Sequence, residues 1–153
     1  MPFESFLAQS FEFDHENEQF QRLVVELDAV FGAGAEQAVL LGNVMGRICE
    51  FDAVFIKENA FCVIEMKSMG GEVAFDQNGP WKCGGREIKA GKYGNPFRQA
   101  RAYRFDAMER LTELVREGAL QVDDYQSWSH ISACVLFGPP TKVDGVIPNH
   151  LAK

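Results

Sequence analysis

Apolar residues return along this chain with two different periods. At Phe20, Leu23, Val24, Leu27, Val30 and Phe31 they recur every three or four positions, the stripe of a helix with one buried face. Gly32 and Gly34 stop it. Asp14, Glu16 and Glu18 gather at or before its start, where the helix dipole favours negative charge. A second stripe, Ala100, Ala107, Met108, Leu111, Leu114 and Val115, predicts a helix from Asn95-Pro96 to Glu117. Asn95 is its expected N-cap, Pro96 its first helical residue, and Gly118 its end. Between the helices the pattern predicts three strands: a short one over Ala38–Leu41, a mixed one over Ile48–Ile56, and one over Ala60–Lys67. Lys57-Glu58-Asn59 is a tight turn between the last two. The continuous apolar run His130–Phe137 predicts a strand inside the sheet. The order is helix, three strands, a glycine-rich excursion, helix, strand, which predicts an α/β layer architecture with a mixed sheet.

Length and charge narrow the class. At 153 residues the chain suits one domain over residues 1–153. Its abrupt end at Ile147-Pro148-Asn149-His150-Leu151-Ala152-Lys153 makes it readable as the N-terminal part of a longer protein. A composition 46% hydrophobic and 24% charged excludes a disordered chain. A net charge of −7 argues against a wholly basic, histone-like nucleic-acid binder. Met1–Ser10 lacks the positive residues of an export signal, and no apolar run is long enough for a membrane span. Cys49, Cys62, Cys83 and Cys134 show no C-x-x-C pair, so neither a zinc knuckle nor a redox motif is visible. They read as reduced thiols, mostly packed in a core, which points to the cytoplasm. His15, His130 and His150 have no metal-ligand spacing, and Gly84-Gly85 and Gly91 lack the Lys-Ser/Thr of a phosphate cradle. No Ser-His-Asp signature is present. Trp81 and Trp128 read as packing residues.

The predicted hairpin carries the chemistry. If its turn centres on Glu58-Asn59, Lys57 faces Ala60, and counting outward sets Asp52 opposite Glu65. Side chains alternate along a strand, so Glu65 and Lys67 share one face while Ile64 and Met66 take the other. Two opposed carboxylates repel. Water could screen them, or a divalent cation could lie between them, and hard oxygen donors suit Mg²⁺ or Mn²⁺. Lys67 would then hold an attacking water or a phosphate oxygen. Spacing alone equally allows an exposed strand with Glu65 and Lys67 on its solvated face.

The segment Glu50-Phe51-Asp52-Ala53-Val54-Phe55-Ile56 followed by Cys62-Val63-Ile64-Glu65-Met66-Lys67 resembles the D…E-x-K core of PD-(D/E)XK nucleases. Gly70-Gly71, Trp81 and then Tyr93-Gly94-Asn95-Pro96-Phe97-Arg98-Gln99-Ala100 make the chain resemble the nuclease-related domain (NERD) branch specifically, over about Glu18 to Phe137. The resemblance implies a restriction-endonuclease-like fold, a three-layer α/β/α with a central mixed sheet. It implies Asp52 and Glu65 as metal ligands, with the backbone carbonyl of Met66 as a further one, Lys67 as the catalytic lysine, and Gln99 as the helix glutamine. Gln99 and Tyr103 form a Q-x-x-x-Y pair, similar to RecB-like nucleases, and share a helix face. Many such enzymes bring a glutamate from the first helix to the metal; Glu18 is the expectation, with Glu16 and Glu26 as rivals. Phe51 stands where the signature proline would precede Asp52.

Charge along the chain supports the same reading. From Met1 to Asp28 there are seven acidic residues against Arg22 alone, whereas Lys82–Arg104 holds seven basic residues against Glu87 alone. Lys82, Arg86, Lys89, Lys92, Arg98, Arg101 and Arg104, with Tyr103, form the expected nucleic-acid contact, a source of salt-dependent affinity for DNA. A solvated loop and helix face is the plainer alternative. The expected function is thus Mg²⁺- or Mn²⁺-dependent DNA phosphodiester hydrolysis. The alternative is a nucleic-acid-binding module on the same fold with weak or no cleavage, serving a fused or partner helicase or kinase. A homodimer fits enzymes of this fold that pair up to cut both strands.

Overall fold

Helix α1, Asp14–Phe31, lays Phe20, Leu23, Val24, Leu27 and Phe31 on a sheet and turns Val30 to solvent. The coordinates are those of a computed structural model, which describes residues 2–122, 128, 130–149 and 151; His150 lies outside them. Before α1 runs a strand that the hydrophobic pattern does not predict, β1, Phe3–Leu7. Only Phe3 of it is buried, so no alternation marks it, and its pairing is parallel to β2, Ala38–Met45, from beyond the helix.

Strand β2 extends past its predicted end at Leu41 because Gly42, Val44 and Met45 continue the ladder to β3. At Gly42 a methyl group would lie 2.6 Å from both Leu7 Cδ2 and Phe20 Cε2, so glycine there lets β1 and α1 close on the strand. Asn43 takes a left-handed backbone, φ 49°, and its Nδ2 donates to the Ser10 carbonyl at 2.8 Å. Strands β3, Glu50–Lys57, and β4, Ala60–Lys67, form the expected hairpin, with Lys57 facing Ala60 and Ala53 facing Ile64.

Strand β8, Ile131–Phe137, pairs parallel to β4 and closes a five-stranded sheet in the order β1-β2-β3-β4-β8. The apolar run predicted an interior strand. Among the described residues β8 is instead an edge strand, with Ser132 and Cys134 exposed. Its apolar character comes from the buried Ile131 at its start and from Ala133 and Leu136, which pack toward opposite faces of the sheet.

The glycine-rich excursion, joined by a strand that follows β8, forms a second sheet, which the sequence pattern also does not predict. Strands β5, Gly71–Ala74, β6, Lys82–Cys83, β7, Arg86–Glu87, and β9, Thr141–Asp144, pair in the order β7-β6-β5-β9. Two-residue ladders are too short to show a period. Gly84 and Gly85, at φ 56° and 78°, make the tight turn between β6 and β7 that only positive φ allows. Val73, Trp81 and Ile88 form the core beneath this sheet, and Trp81 meets Phe75 edge to face.

Helix α2, Pro96–Arg116, starts as expected. Asn95 Oδ1 accepts the Arg98 N–H at 2.9 Å, while its Nδ2 donates to the Gly79 carbonyl at 3.0 Å, tying the helix start to the loop before β6. Tyr103 and Ala107 of α2 pack on Phe51, Val54, Val63 and Ala133, whereas Ile64 and Met66 of β4 pack with α1. Successive residues of β4 therefore serve different helices. The architecture is α/β with two mixed sheets.

Candidate active site

Strand alternation sends Glu65 and Lys67 to the face that receives α2, opposite to Met66. Glu65 is buried at 4% exposure, and Lys67 Nζ donates to its Oε1 at 2.7 Å. The same ammonium donates to Gln99 Oε1 at 3.0 Å, and Gln99 Nε2 donates to the Tyr103 hydroxyl at 3.0 Å. Asp52, on the neighbouring strand, accepts the Met66 backbone N–H on Oδ2 at 2.6 Å. One hydrogen-bonded line thus runs Glu65–Lys67–Gln99–Tyr103, with Asp52 beside its acidic end. Gln99 and Tyr103 reach it together because they stand four residues apart on α2.

The electrostatics are those of too much negative charge in too little water. Burial pushes the Asp52 carboxyl up to about 7, and the Glu65 charge adds to the rise; the Met66 N–H and Lys67 work against it. Burial also raises Glu65, while Lys67 pulls it back. One lysine cannot balance two desolvated carboxylates. Tyr103, half-buried on α2, has its phenol pushed up to about 12 by burial, so it stays a neutral hydrogen-bonding partner.

Of the three first-helix glutamates considered, Glu16 is the one whose charge acts on Asp52 and Glu65. Glu18 is exposed and lines a surface depression with His15, Arg22, Ser68 and Pro139. Glu16 is half-buried, and its charge raises both Asp52 and Glu65. Glu26 is exposed farther along the helix. The reason is Gln19, a residue the sequence reading passes over. Its buried amide donates to the carbonyls of Lys67 at 3.2 Å and Leu136 at 3.1 Å, fixing that face of α1 on the ends of β4 and β8. Glu16 stands one turn before Gln19 on the same face, whereas Glu18 is rotated about 100° off it. The Glu16-x-x-Gln19 spacing was the available signal.

Asp106 is a second residue absent from the sequence reading. Buried in α2, it accepts the backbone N–H groups of Arg47, Ile48 and Cys49 at 3.0–3.3 Å and so holds the turn that leads into β3.

The basic residues split. Lys82 and Arg86 stand on the β6–β7 hairpin, with Lys89 and Lys92 after it, and all four are exposed. Arg98 and Arg101 are exposed on α2, on the side away from Gln99. Arg104 is half-buried, and its Nε donates to the Ile131 carbonyl at 2.6 Å, so it clamps α2 to β8. Tyr103 belongs to the interior line and not to the basic surface.

Asp52 and Glu65 offer hard oxygen donors with an excess of buried negative charge, a donor set that fits Mg²⁺ or Mn²⁺. Among the described residues no three His, Cys, Asp or Glu side chains are grouped to hold an ion. Mg²⁺ asks for only one or two carboxylates, since it keeps several waters. No helix among the described residues is long and apolar enough to cross a membrane. A family model described as nuclease-related domain matches residues 12–137. No curated protein and no solved structure matches the chain.

Proposed function

The chain belongs to the nuclease-related domain family, and from that premise we propose that it hydrolyses DNA phosphodiester bonds with the aid of Mg²⁺ or Mn²⁺. The observation that supports the reading is the meeting of Asp52, Glu65, Lys67 and Gln99 at one end of the β3–β4 hairpin, with both acids desolvated. We read the fold as restriction-endonuclease-like, a three-layer α/β/α, because α1 and α2 pack on alternate residues of the same strand.

Asp52 and Glu65 would hold the ion, with the backbone carbonyl of Met66 as a further donor and Glu16 in place of Glu18 as the acid nearest to them on α1. When bound, the ion supplies charge neutralisation at the phosphate and a water of lowered pKa. The chain's own groups do the rest. Lys67 spends two of its three donors on Glu65 and Gln99, and the third is left for the attacking water or a non-bridging phosphate oxygen. Gln99 positions that ammonium through its carbonyl oxygen and is itself oriented by Tyr103. The neutral Tyr103 and the apolar layer of Phe51, Val54 and Val63 keep water from the inner side, which strengthens every charge interaction in the site. Lys82, Arg86, Lys89, Lys92, Arg98 and Arg101 would hold the DNA backbone nearby.

A cleavage assay on linear double-stranded, single-stranded and supercoiled DNA tests this, run with Mn²⁺, Mg²⁺ or EDTA on the wild type and Glu65→Ala. Metal-dependent cutting that disappears in Glu65→Ala is the expected result. Equal cutting by both proteins would sink the assignment of the site. No cutting by either, with salt-sensitive DNA binding retained, would replace hydrolysis by binding.

A further inference from the structure

On the other face of β4 the structure brings two thiols together. Cys62 and Cys134 come from adjacent parallel strands, and their sulfurs share a hydrogen bond at 3.8 Å. Cys62 is half-buried and Cys134 is exposed on β8, which has no strand beyond it among the described residues. All four cysteines are free.

Register decides what such a pair can do. Cys62 faces Ser132, and Cys134 faces Ile64, so the two cysteines are diagonal neighbours, offset by two residues along the strands. A rise of about 3.3 Å per residue and a strand spacing of about 4.8 Å separate their Cα atoms by roughly 8 Å. A disulfide cannot span more than about 7 Å between Cα atoms without moving the backbone. Closing the bridge would drag β4 along β8, against the ladder that fixes both. Chelation asks for no such movement. With zinc–sulfur bonds of about 2.3 Å, two sulfurs on a tetrahedral ion stand about 3.8 Å apart. That is the separation the folded chain already presents.

We propose that Cys62 and Cys134 form a two-thiolate chelating site for one thiophilic divalent cation of the zinc class, separate from the carboxylate site on the opposite face. The cation displaces the thiol protons to solvent as the two metal–sulfur bonds form, with no change of oxidation state. The open edge of β8 leaves the remaining coordination positions to water. The hydrogen bond shared with Cys134 lowers the Cys62 thiol to about 6, while the same bond and burial raise Cys134, so the ion itself has to displace the Cys134 proton.

The test is a Cd²⁺ titration of the full chain, followed by thiolate-to-cadmium charge-transfer absorption, with Zn²⁺ then added as competitor. The expected result is a signal that saturates at one ion per chain, is bleached by Zn²⁺, and vanishes in Cys62→Ser and in Cys134→Ser. Cys49→Ser, Cys83→Ser and Asp52→Asn are expected to keep it, which separates this site from the carboxylate pair. Circular dichroism of each serine variant distinguishes a lost ligand from a lost fold. A signal that survives in Cys62→Ser or Cys134→Ser would overturn the proposal. So would a Cys62–Cys134 disulfide found by peptide mapping of the air-exposed protein, since it would show that the strands close where the register says they do not.

Discussion

Asp106 accepts the backbone N–H of Cys49 at 3.1 Å, and by this bond α2 holds the turn that delivers Asp52 to the site. The same carboxylate takes the N–H groups of Arg47 and Ile48. Three donors of one turn therefore depend on a single buried acid. Asp106→Ala leaves them unsatisfied and is expected to cost about 3 kcal/mol of stability, by the penalty for orphaned buried donors and charge-assisted bonds. Urea unfolding measures it; a loss below about 1 kcal/mol would mean that water replaces the carboxylate freely.

Gln99 accepts a hydrogen bond from Lys67 at 3.0 Å. Gln99→Ala is expected to lower kcat by roughly 10–100-fold with little change in KM, because a positioned ammonium is worth most in the transition state. Thermal stability should hardly move. Gln99→Glu is a sharper comparison, since it keeps the acceptor for Lys67 but adds a third negative charge. An unchanged kcat in Gln99→Ala would remove the positioning role.

The buried acids make stability depend on pH in a direction opposite to that of ordinary ion pairs. Asp52 and Glu65 have carboxyls raised above their unfolded values, Asp52 to about 7, chiefly by burial. Between about pH 4 and pH 7 the folded state binds more protons than the unfolded one, so this pair's contribution is full below that window and is lost as pH rises through it. With EDTA present the loss is on the order of 2–4 kcal/mol. Asp52→Asn should flatten the wild-type fall in Tm across the window, and Mg²⁺ should oppose it. A wild-type and variant profile of equal slope would show that the pair does not titrate there.

Exposed basic residues on the β6–β7 hairpin and α2 should act as phosphate contacts. The combined change Lys82→Ala, Arg86→Ala, Arg98→Ala and Arg101→Ala is expected to weaken DNA binding similarly for all sequences. Each lost contact should reduce the slope of log K against log salt by about 1. Arg104→Ala should instead destabilise the protein, since its guanidinium binds the Ile131 carbonyl. Fluorescence anisotropy across a salt series separates the two.

Gly42 tests the packing of β1. With a methyl group at 2.6 Å from Phe20 and Leu7, Gly42→Ala forces α1 or β1 outward and is expected to cost about 1–3 kcal/mol. A neutral effect in thermal unfolding would show that β1 yields without loss.

The parts of this design legible in the sequence are those set by local rules. The β3–β4 register follows from a two-residue turn and strand alternation, so Lys57 could be placed opposite Ala60 by counting. Asn95 and Pro96 announce the start of α2 through capping chemistry. What escaped depends on partners far along the chain. Strand β1 is mostly exposed and exists because β2 offers it a parallel edge. Strand β8 looked interior because an apolar run does not say whether one neighbour or two will pair with it. The rotation of α1 about its axis is set by Gln19 reaching the ends of β4 and β8, a contact invisible to periodicity, so the sequence could not rank Glu16, Glu18 and Glu26 by nearness to the acids.

The parallel pairing of β4 with β8 also sets an order of assembly. The β3–β4 hairpin needs only its own two-residue turn, and hairpins form in about 1–10 μs. The ladder between Phe61 and Ile131 must wait for some seventy intervening residues to be made and gathered in, and long closures of this kind slow folding. On a ribosome the strands that carry Asp52 and Glu65 would therefore come together before Gln99 and Tyr103 exist to steady Lys67. The nascent chain would pass through a stage that has its acids but no positioned ammonium. Pulse-labelled hydrogen exchange during refolding should find the amides of β3 and β4 protected ahead of those of β8, so that the line from Glu65 to Tyr103 is completed after the hairpin and not with it.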